Sequence, residues 1–451
     1  MGLGLVHHIP LVAYLGFWVM ILVSLGGRPL LGLYYMMPFL PYRTMRDHFL
    51  DYPLGNNVMT ILVIAVIVGA LIQGKHLPKS KLYMVWLVTG AYLYLSMWIG
   101  TALGNAPAPL WLTDLNFVTW KDYILIPLVF VAAGLVIEDR KAVRTFVLIT
   151  AISLLFIDRS CILESMSRTW TNFDEDKRGG GPLAYGSNQT AAFLAQFAMF
   201  FWGFAQFVKR KKFKLLSYGL VALTLFATMY TFSRGAYLAV LFSVFVLGLL
   251  KDRKLLLILG AFLLTWQTVV PTAVHQRVSM TENSNGQLEA SAQERVDLWQ
   301  NAWRAITHSP IVGNGYATFK LGEHVDNLKD THNWYVKVMV ETGIIGLMLA
   351  LVLLEQILAL SYRLFRRTKD PLYQGLGLGL FVGMCSCLVA NFFGDRWTYL
   401  EITGLLWVLI AAAARAIELS DSTPPPTLTA AAPVAALSPY EEYRKKYALH
   451  S

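Results

Sequence analysis

The sequence predicts an all-α integral membrane protein of about twelve transmembrane helices, with a long external loop that carries an amphipathic helix. Three observations support this. Charged residues make up only 15% of the 451 residues and hydrophobic ones 56%, with a mean hydropathy of +0.50; an ordinary soluble domain carries about 25% charged residues. Apolar stretches near the roughly 20 residues that a helix needs to cross hydrocarbon recur along the chain. These runs are continuous rather than alternating. Their backbone groups must therefore be satisfied within helices and not in a closed barrel.

Spans are expected at roughly 9–26, 58–72, 83–103, 123–137, 143–157, 190–208, 213–232, 236–250, 254–274, 333–361, 373–393 and 399–415. The first lacks a basic flank before it and a small-residue cleavage site after it, so it reads as a retained span rather than a signal peptide. Segment 30–40 is apolar but short and is followed by Pro41, which suits a re-entrant or interfacial piece. Residues 1–417 thus form one polytopic domain. Residues 418–451, Pro/Ala/Ser/Thr-rich and then charged, read as a disordered tail.

The net charge of +10 could suggest nucleic acid, but its distribution argues against it. Basic residues fall in short clusters between apolar runs, such as Lys209 to Lys212 and Arg363 to Arg367. By the positive-inside rule those loops, both termini and the tail are cytoplasmic. The other loops are longer, richer in Gly, Pro, Asn and aromatics, and face outside. Two are long, about 158–189 and 275–331, and loops of that length are usually functional or disordered. In the second, Val296, Trp299, Trp303 and Ile306 recur at spacings of three and four and mark the amphipathic helix. Cys161, Cys385 and Cys387 lie in or near apolar runs, so neither a disulfide framework nor a zinc site is indicated.

Three external features carry candidate chemistry. Thr231 to Ala236 forms a tight hairpin bearing Arg234, which either snorkels to lipid phosphates or serves as a fixed, bidentate cation for a substrate phosphate. Arg295 sits on the polar side of the amphipathic helix, ahead of a turn cluster from Ser309 to Tyr316; a solvated face is the plainer reading. His332 lies where the long loop enters the tenth span. There an imidazole kept neutral by a helix N-terminus can accept a proton from a hydroxyl, although interfacial histidines are more often structural. Asn333 would cap the helix or orient His332, and Glu341, deeper on it, suits packing or hydrogen bonding.

Other signals carry less. Asp174-Glu175-Asp176 spells a metal-nucleotide motif in a polar loop where plain solvated surface is the commoner explanation, and no metal is assigned. Gly375, Gly377, Gly379 and Gly383 imitate a dinucleotide fingerprint without its strand–turn–helix context, so close helix packing is expected of them.

The ordered set Ser233-Arg234-Gly235, Arg295 with Trp299, Pro310 through Gly315, and His332-Asn333 with Glu341 and Gly343 resembles the signature of the O-antigen ligase and polymerase superfamily. Gly186 to Thr190, leading into the sixth span, fits as well. The likeness covers mainly 180–350. It implies a GT-C-like bacterial inner-membrane glycosyltransferase, with no cofactor, that moves a glycan from undecaprenyl pyrophosphate to an acceptor hydroxyl at the periplasmic face. The transfer would be inverting and metal-independent. Carried over, Arg234 and Arg295 would bind the pyrophosphate and His332 would activate the acceptor. Asn188, Asn333 and the other external arginines (Arg43, Arg46, Arg159, Arg168, Arg277 and Arg396) are substrate-binding candidates. Expected partners are the lipid-linked glycan, a lipid A–core acceptor and membrane lipid, with no nucleic acid. A polysaccharide polymerase or a protein O-oligosaccharyltransferase would differ only in acceptor. A lipid-linked oligosaccharide transporter is the reading from another class. It would call for charged residues at the membrane midplane and repeated halves, whereas the apolar spans hold almost no charge apart from Glu341, Glu355 and Glu401, and no repeat is seen.

Overall fold

The computed structural model describes residues 8–104, 106–111, 114–166, 173, 178, 180–280, 290–321 and 331–422. Among them the chain is helical throughout, without strands. The first helices are α1 (Ile9–Leu25), α2 (Pro29–Met36), α3 (Arg43–Asp47), α4 (Val58–Ile72), α5 (Lys81–Gly104) and α6 (Leu115–Val136). Then come α7 (Arg140–Met166), α8 (Ser187–Ala205), α9 (Lys211–Met229), α10 (Arg234–Leu250), α11 (Lys254–Val269) and α12 (Thr272–Ser279). The last are α13 (Ala290–His308), α14 (Thr318–Leu321), α15 (Trp334–Arg367), α16 (Pro371–Ala390) and α17 (Leu400–Ser422).

Each of the twelve expected spans falls on a helix, but fewer meet the demands of a bilayer. Seven helices are long and apolar enough to cross one: α5, α6, α7, α9, α15, α16 and α17. The count rises to eight if α11 and α12, bent by 105°, form one broken span. Helices α1, α4 and α10 are apolar but shorter, and α8 is diluted by Ser187, Asn188, Gln189, Thr190 and Gln196. Every residue of α8 from Thr190 to Phe201 is buried, so protein and not lipid surrounds it. The most apolar windows of α16 and α17 are 72% and 94% buried, against 28% for α9. The core is therefore α8, α16 and α17. Close packing accounts for the glycines of α16: a Cβ on Gly379 would come within 2.5 Å of Phe200 O on α8.

Several expectations need correction. α7 runs on to Met166, so Asp158 and Arg159 belong to a helix and not to a loop beginning at 158. Asp158 is fully buried and accepts a 2.7 Å hydrogen bond from Thr224 Oγ1 on α9, which lets the helix carry a carboxylate inward. The ninth span, expected to reach 274, stops at Val269, where Pro271 opens α12 in a new direction. Segment 30–40 is helical, with Leu33, Met36, Met37 and Leu40 buried against the core. On α13 the buried stripe is Leu298, Ala302 and Ala305, while Trp299 is 43% and Trp303 67% exposed. The small residues face the bundle because they allow close approach. The tail does not begin at 418, because α17 continues to Ser422.

The basic loops are drawn together at one end of the bundle. Arg140 Nε donates to Asp370 Oδ2 at 2.6 Å, and Arg415 Nη2 donates to the carbonyls of His76 (2.5 Å) and Gly134 (2.8 Å). The candidate residues for chemistry gather at the opposite end.

Helix α15 is broken inside. Gly343 adopts φ +63° and ψ −168°, a left-handed region that favours glycine. The freed backbone groups are taken up by the Pro310–Gly315 turn. Asn314 N donates to Val340 O (3.0 Å) and Gly315 N to Glu341 O (2.9 Å), while Ile344 N donates to Pro310 O (3.0 Å). Ser96 Oγ donates to Glu341 O and Tyr92 Oη to Thr342 O, completing the accounting from α5. The Gly-rich motif and Glu341-Thr342-Gly343 are thus one structural joint. It seats α13 against α15 through Ala302, Ala305, Phe319 and Val340.

Candidate functional site at the loop end of the bundle

Arg234 opens α10 directly after the tight turn from α9, whose Phe232 has φ +54°. Gly235 follows because the Phe393 ring lies on it; a Cβ would sit 2.7 Å from Phe393 Cγ. Arg234 Nη1 donates to Met280 O at 2.8 Å, at the end of α12. The inner face of α12, Ala273 and Val274, packs on Tyr230 and Phe232. Arg277, a substrate-binding candidate in the sequence, is 5% exposed and lies over the Phe173 ring at 4.8 Å.

A cation that sequence reasoning passed over completes this cluster. Arg178 Nη2 donates to Asn188 Oδ1 (2.7 Å), and its Nε and Nη2 donate to the carbonyls of Thr231 (3.2 Å) and Phe232 (3.3 Å). Asn188, a substrate candidate in the sequence, thus sits in the first turn of α8 as a partner of Arg178. The preceding glycines are held by Glu164, whose carboxylate accepts from Gly180 N and Gly181 N at 3.3 and 3.1 Å. Arg178 could have been suspected only from its position beside a glycine run. Arg168 and Asp174-Glu175-Asp176 lie outside the described residues. Among those described, no three His, Cys, Asp or Glu side chains gather as a metal site.

His332 precedes α15 with φ +51°, a conformation that His, Asn and Asp tolerate better than most residues. Asn333 caps the helix, its Oδ1 accepting from Tyr335 N (3.0 Å) and Val336 N (3.2 Å). Thr331 Oγ1 donates to Asn333 O at 2.7 Å, and Trp299 Nε1 donates to Thr331 O at 2.9 Å. These bonds fix the backbone on both sides of the imidazole. Arg295 lies one helical turn before Trp299 on α13, half-buried, and so on the element that clamps the approach to His332.

The Arg234 and His332 regions are joined by the short 3₁₀ turn Asn391–Phe393. Phe393 covers Gly235, and the Phe392 ring packs on Tyr335 with centroids 4.6 Å apart. Beyond it, Arg396 is 5% exposed and spans a turn, donating from Nη2 to Phe393 O at 3.2 Å. With the Gln189 amide oriented to suit its neighbours, Oε1 accepts from Arg396 Nη1 (3.1 Å) and Nε2 donates to Tyr185 O (2.7 Å). Arg159, exposed on α7, has no place in this network.

Beneath α15 lies a second group, built on Asp395 of the Asp395-Arg396 turn, whose partner Lys337 the sequence did not single out. Lys337 Nζ donates to Asp395 Oδ2 at 2.9 Å, and Thr398 Oγ1 donates to the same oxygen. Trp397 N and Thr398 N donate to Oδ1, both at 3.0 Å. Burial alone would push the Asp395 carboxyl up; the Lys337 ammonium and the Thr398 hydrogen bonds outweigh it and hold it below the ordinary carboxylate value. Next to this pair a cavity of about 330 Å³ opens between α3, α4, α6 and the start of α17. Arg46 reaches its wall and pairs with Glu401, while Arg43 stacks over Tyr185 at 4.2 Å.

Residues 219–351 match a family model described as O-antigen ligase. No curated protein matches the chain. The matched segment runs from within α9 into α15 and holds Arg234, Arg295, the Pro310–Gly315 turn, His332, Asn333 and the Gly343 break. Through this segment, which ties the arginine-bearing hairpin to the capped start of α15, the chain is similar to the O-antigen ligase family.

Proposed function

We propose that this protein is an O-antigen ligase. It transfers a glycan from undecaprenyl pyrophosphate to a hydroxyl of lipid A–core at the periplasmic face of a bacterial inner membrane. The observation that carries the reading is the flanking of one short segment by two kinds of group: Phe393 lies on Gly235 beside Arg234, and Phe392 lies on Tyr335 beside the His332 turn. A fixed cation and a candidate base on either side of a junction suit a displacement at a phosphorylated carbon.

In the proposed step the acceptor oxygen bonds to the anomeric carbon as the bond from that carbon to the pyrophosphate oxygen breaks. The electron pair leaves with undecaprenyl pyrophosphate, and the hydroxyl proton passes to the His332 imidazole. Arg234 and Arg295 stabilise the charge that develops on the leaving group, a role for which the bidentate guanidinium fork is suited. The product anomer is inverted because the acceptor enters opposite the leaving group. No metal is needed where two cations do this electrostatic work.

The test uses purified protein with undecaprenyl-pyrophosphate-linked glycan, lipid A–core and EDTA, comparing wild type with His332→Ala. Transfer by wild type that is lost in a folded, donor-binding variant supports the reading. Lengthening of the donor glycan without transfer to lipid A–core would make it a polymerase. Movement of lipid-linked glycan across proteoliposomes with neither reaction would leave a transporter.

A further inference from the structure

We infer that the cavity beside Asp395 is a saccharide-binding subsite that seats the terminal one or two sugar rings of the acceptor; the acceptor assignment rests on the ligase reading above. At about 330 Å³ the cavity lies at the small end of ligand pockets, which run about 300–1,000 Å³. That limits the occupant to the end of a glycan rather than a length of it.

The lining speaks to chemistry. Two cations, Arg43 and Arg46, face three carboxylates, Asp47, Asp122 and Glu401. Arg46 is already paired with Glu401, and Arg43 lies 3.6 Å from Asp47. A phosphate would meet a wall whose positive charge is spent and whose surplus is negative. A polyol would not, because each hydroxyl both donates and accepts. Carboxylates, guanidinium groups and the hydroxyls of Tyr123, Thr119 and Thr60 offer both halves of such bonds. Tyr185 and Tyr399, with ring centroids 4.6 Å apart, supply aromatic faces for the apolar side of a sugar ring.

The location gives the substrate. Thr398 lines the cavity and donates to Asp395, which holds Lys337 one turn after the Asn333 cap and so just behind His332. Tyr185 lines it too, while Asn188, in the next turn of chain, faces Arg178 instead. The cavity therefore lies on the imidazole side of the junction, away from the arginine cluster of the α9–α10 hairpin. The sugar that carries the attacking hydroxyl belongs on that side.

The experiment is saturation-transfer NMR on the full chain in nanodiscs. The probes are methyl α-glucoside, N-acetylglucosamine and maltose, with inorganic phosphate as competitor. Wild type is expected to bind at least one saccharide. The cavity-filling Thr119→Trp should abolish the signal, and Asp122→Asn should weaken binding about tenfold, the size of one or two lost hydrogen bonds. His332→Ala should bind as wild type does. In transfer assays Asp122→Asn should raise the acceptor KM and leave kcat and the donor KM near wild type. Asp122→Asn also serves as the test if Thr119→Trp does not fold. Absence of saccharide binding, equal binding by wild type and both cavity variants, or displacement by phosphate would each overturn the subsite. If saccharides bind as expected but wild type transfers no glycan, the ligase reading fails and takes the acceptor assignment with it.

Discussion

Lys337 and Asp395 form an ion pair of 2.9 Å, the ammonium side chain 15% exposed and the carboxylate 1%. The pair ties the first turn of α15 to the turn that precedes α17. It therefore holds the helix start that carries His332 against the wall of the saccharide cavity.

Breaking this pair should be costly. Lys337→Met leaves a buried carboxylate without its cation and is expected to destabilise the protein by about 3–5 kcal/mol. The double variant with Asp395→Asn should recover part of that loss. Because the Asp395 carboxyl is held below its ordinary value, it contributes stability that is present above the unfolded-state pKa and lost as pH falls through the folded one. The melting temperature of wild type should thus fall as pH drops below about 4. Asp395→Asn should flatten that dependence.

The break in α15 makes a sharp prediction. At Gly343 a side chain meets both a left-handed backbone and the carbonyl of Ile311. Gly343→Ala should cost about 2–5 kcal/mol, the sum of the left-handed penalty and a forced shift of packed backbone. Gly219 and Gly260 have open space around them, so Ala there should leave the melting temperature near or slightly above wild type. Equal effects at all three positions would refute the joint.

His332 can be separated into backbone and base. Asn also tolerates left-handed φ, so His332→Asn should unfold like wild type while glycan transfer falls by about 10²–10⁴, the usual worth of a general base. Asn333→Ala removes the cap and should lower stability by about 1 kcal/mol. A full-rate His332→Asn enzyme would remove the imidazole from the mechanism.

Arg234 on the hairpin and Arg178 packed against it should divide by role. Arg234→Lys keeps the charge but loses the fork, and transfer should fall about 10²-fold with little change in melting temperature. Arg178→Ala removes three hydrogen bonds that hold Thr231, Phe232 and Asn188. It should destabilise by about 1–3 kcal/mol as well as reduce transfer. Unfolding scans alongside rate measurements on the same preparations distinguish the two.

Run length is a property of the chain in one dimension, and hydrocarbon thickness imposes it segment by segment. That is why all twelve expected spans coincide with helices. The same locality made Arg234 and His332 visible, since each sits where an apolar run begins. Other features depend on positions far apart in the chain. Arg46 meets Glu401 across 355 positions and Thr224 meets Asp158 across 66, and no periodicity announces such pairs. The number of helices able to cross a bilayer also falls short of the number of apolar runs: α8 reads as a span but is diluted by polar residues, and α11 turns at Pro271. The Pro310–Gly315 motif looked like a loose turn until the opened backbone of α15 supplied its partners. Side chains whose role is set by a distant partner acquire it only when burial removes water as the alternative.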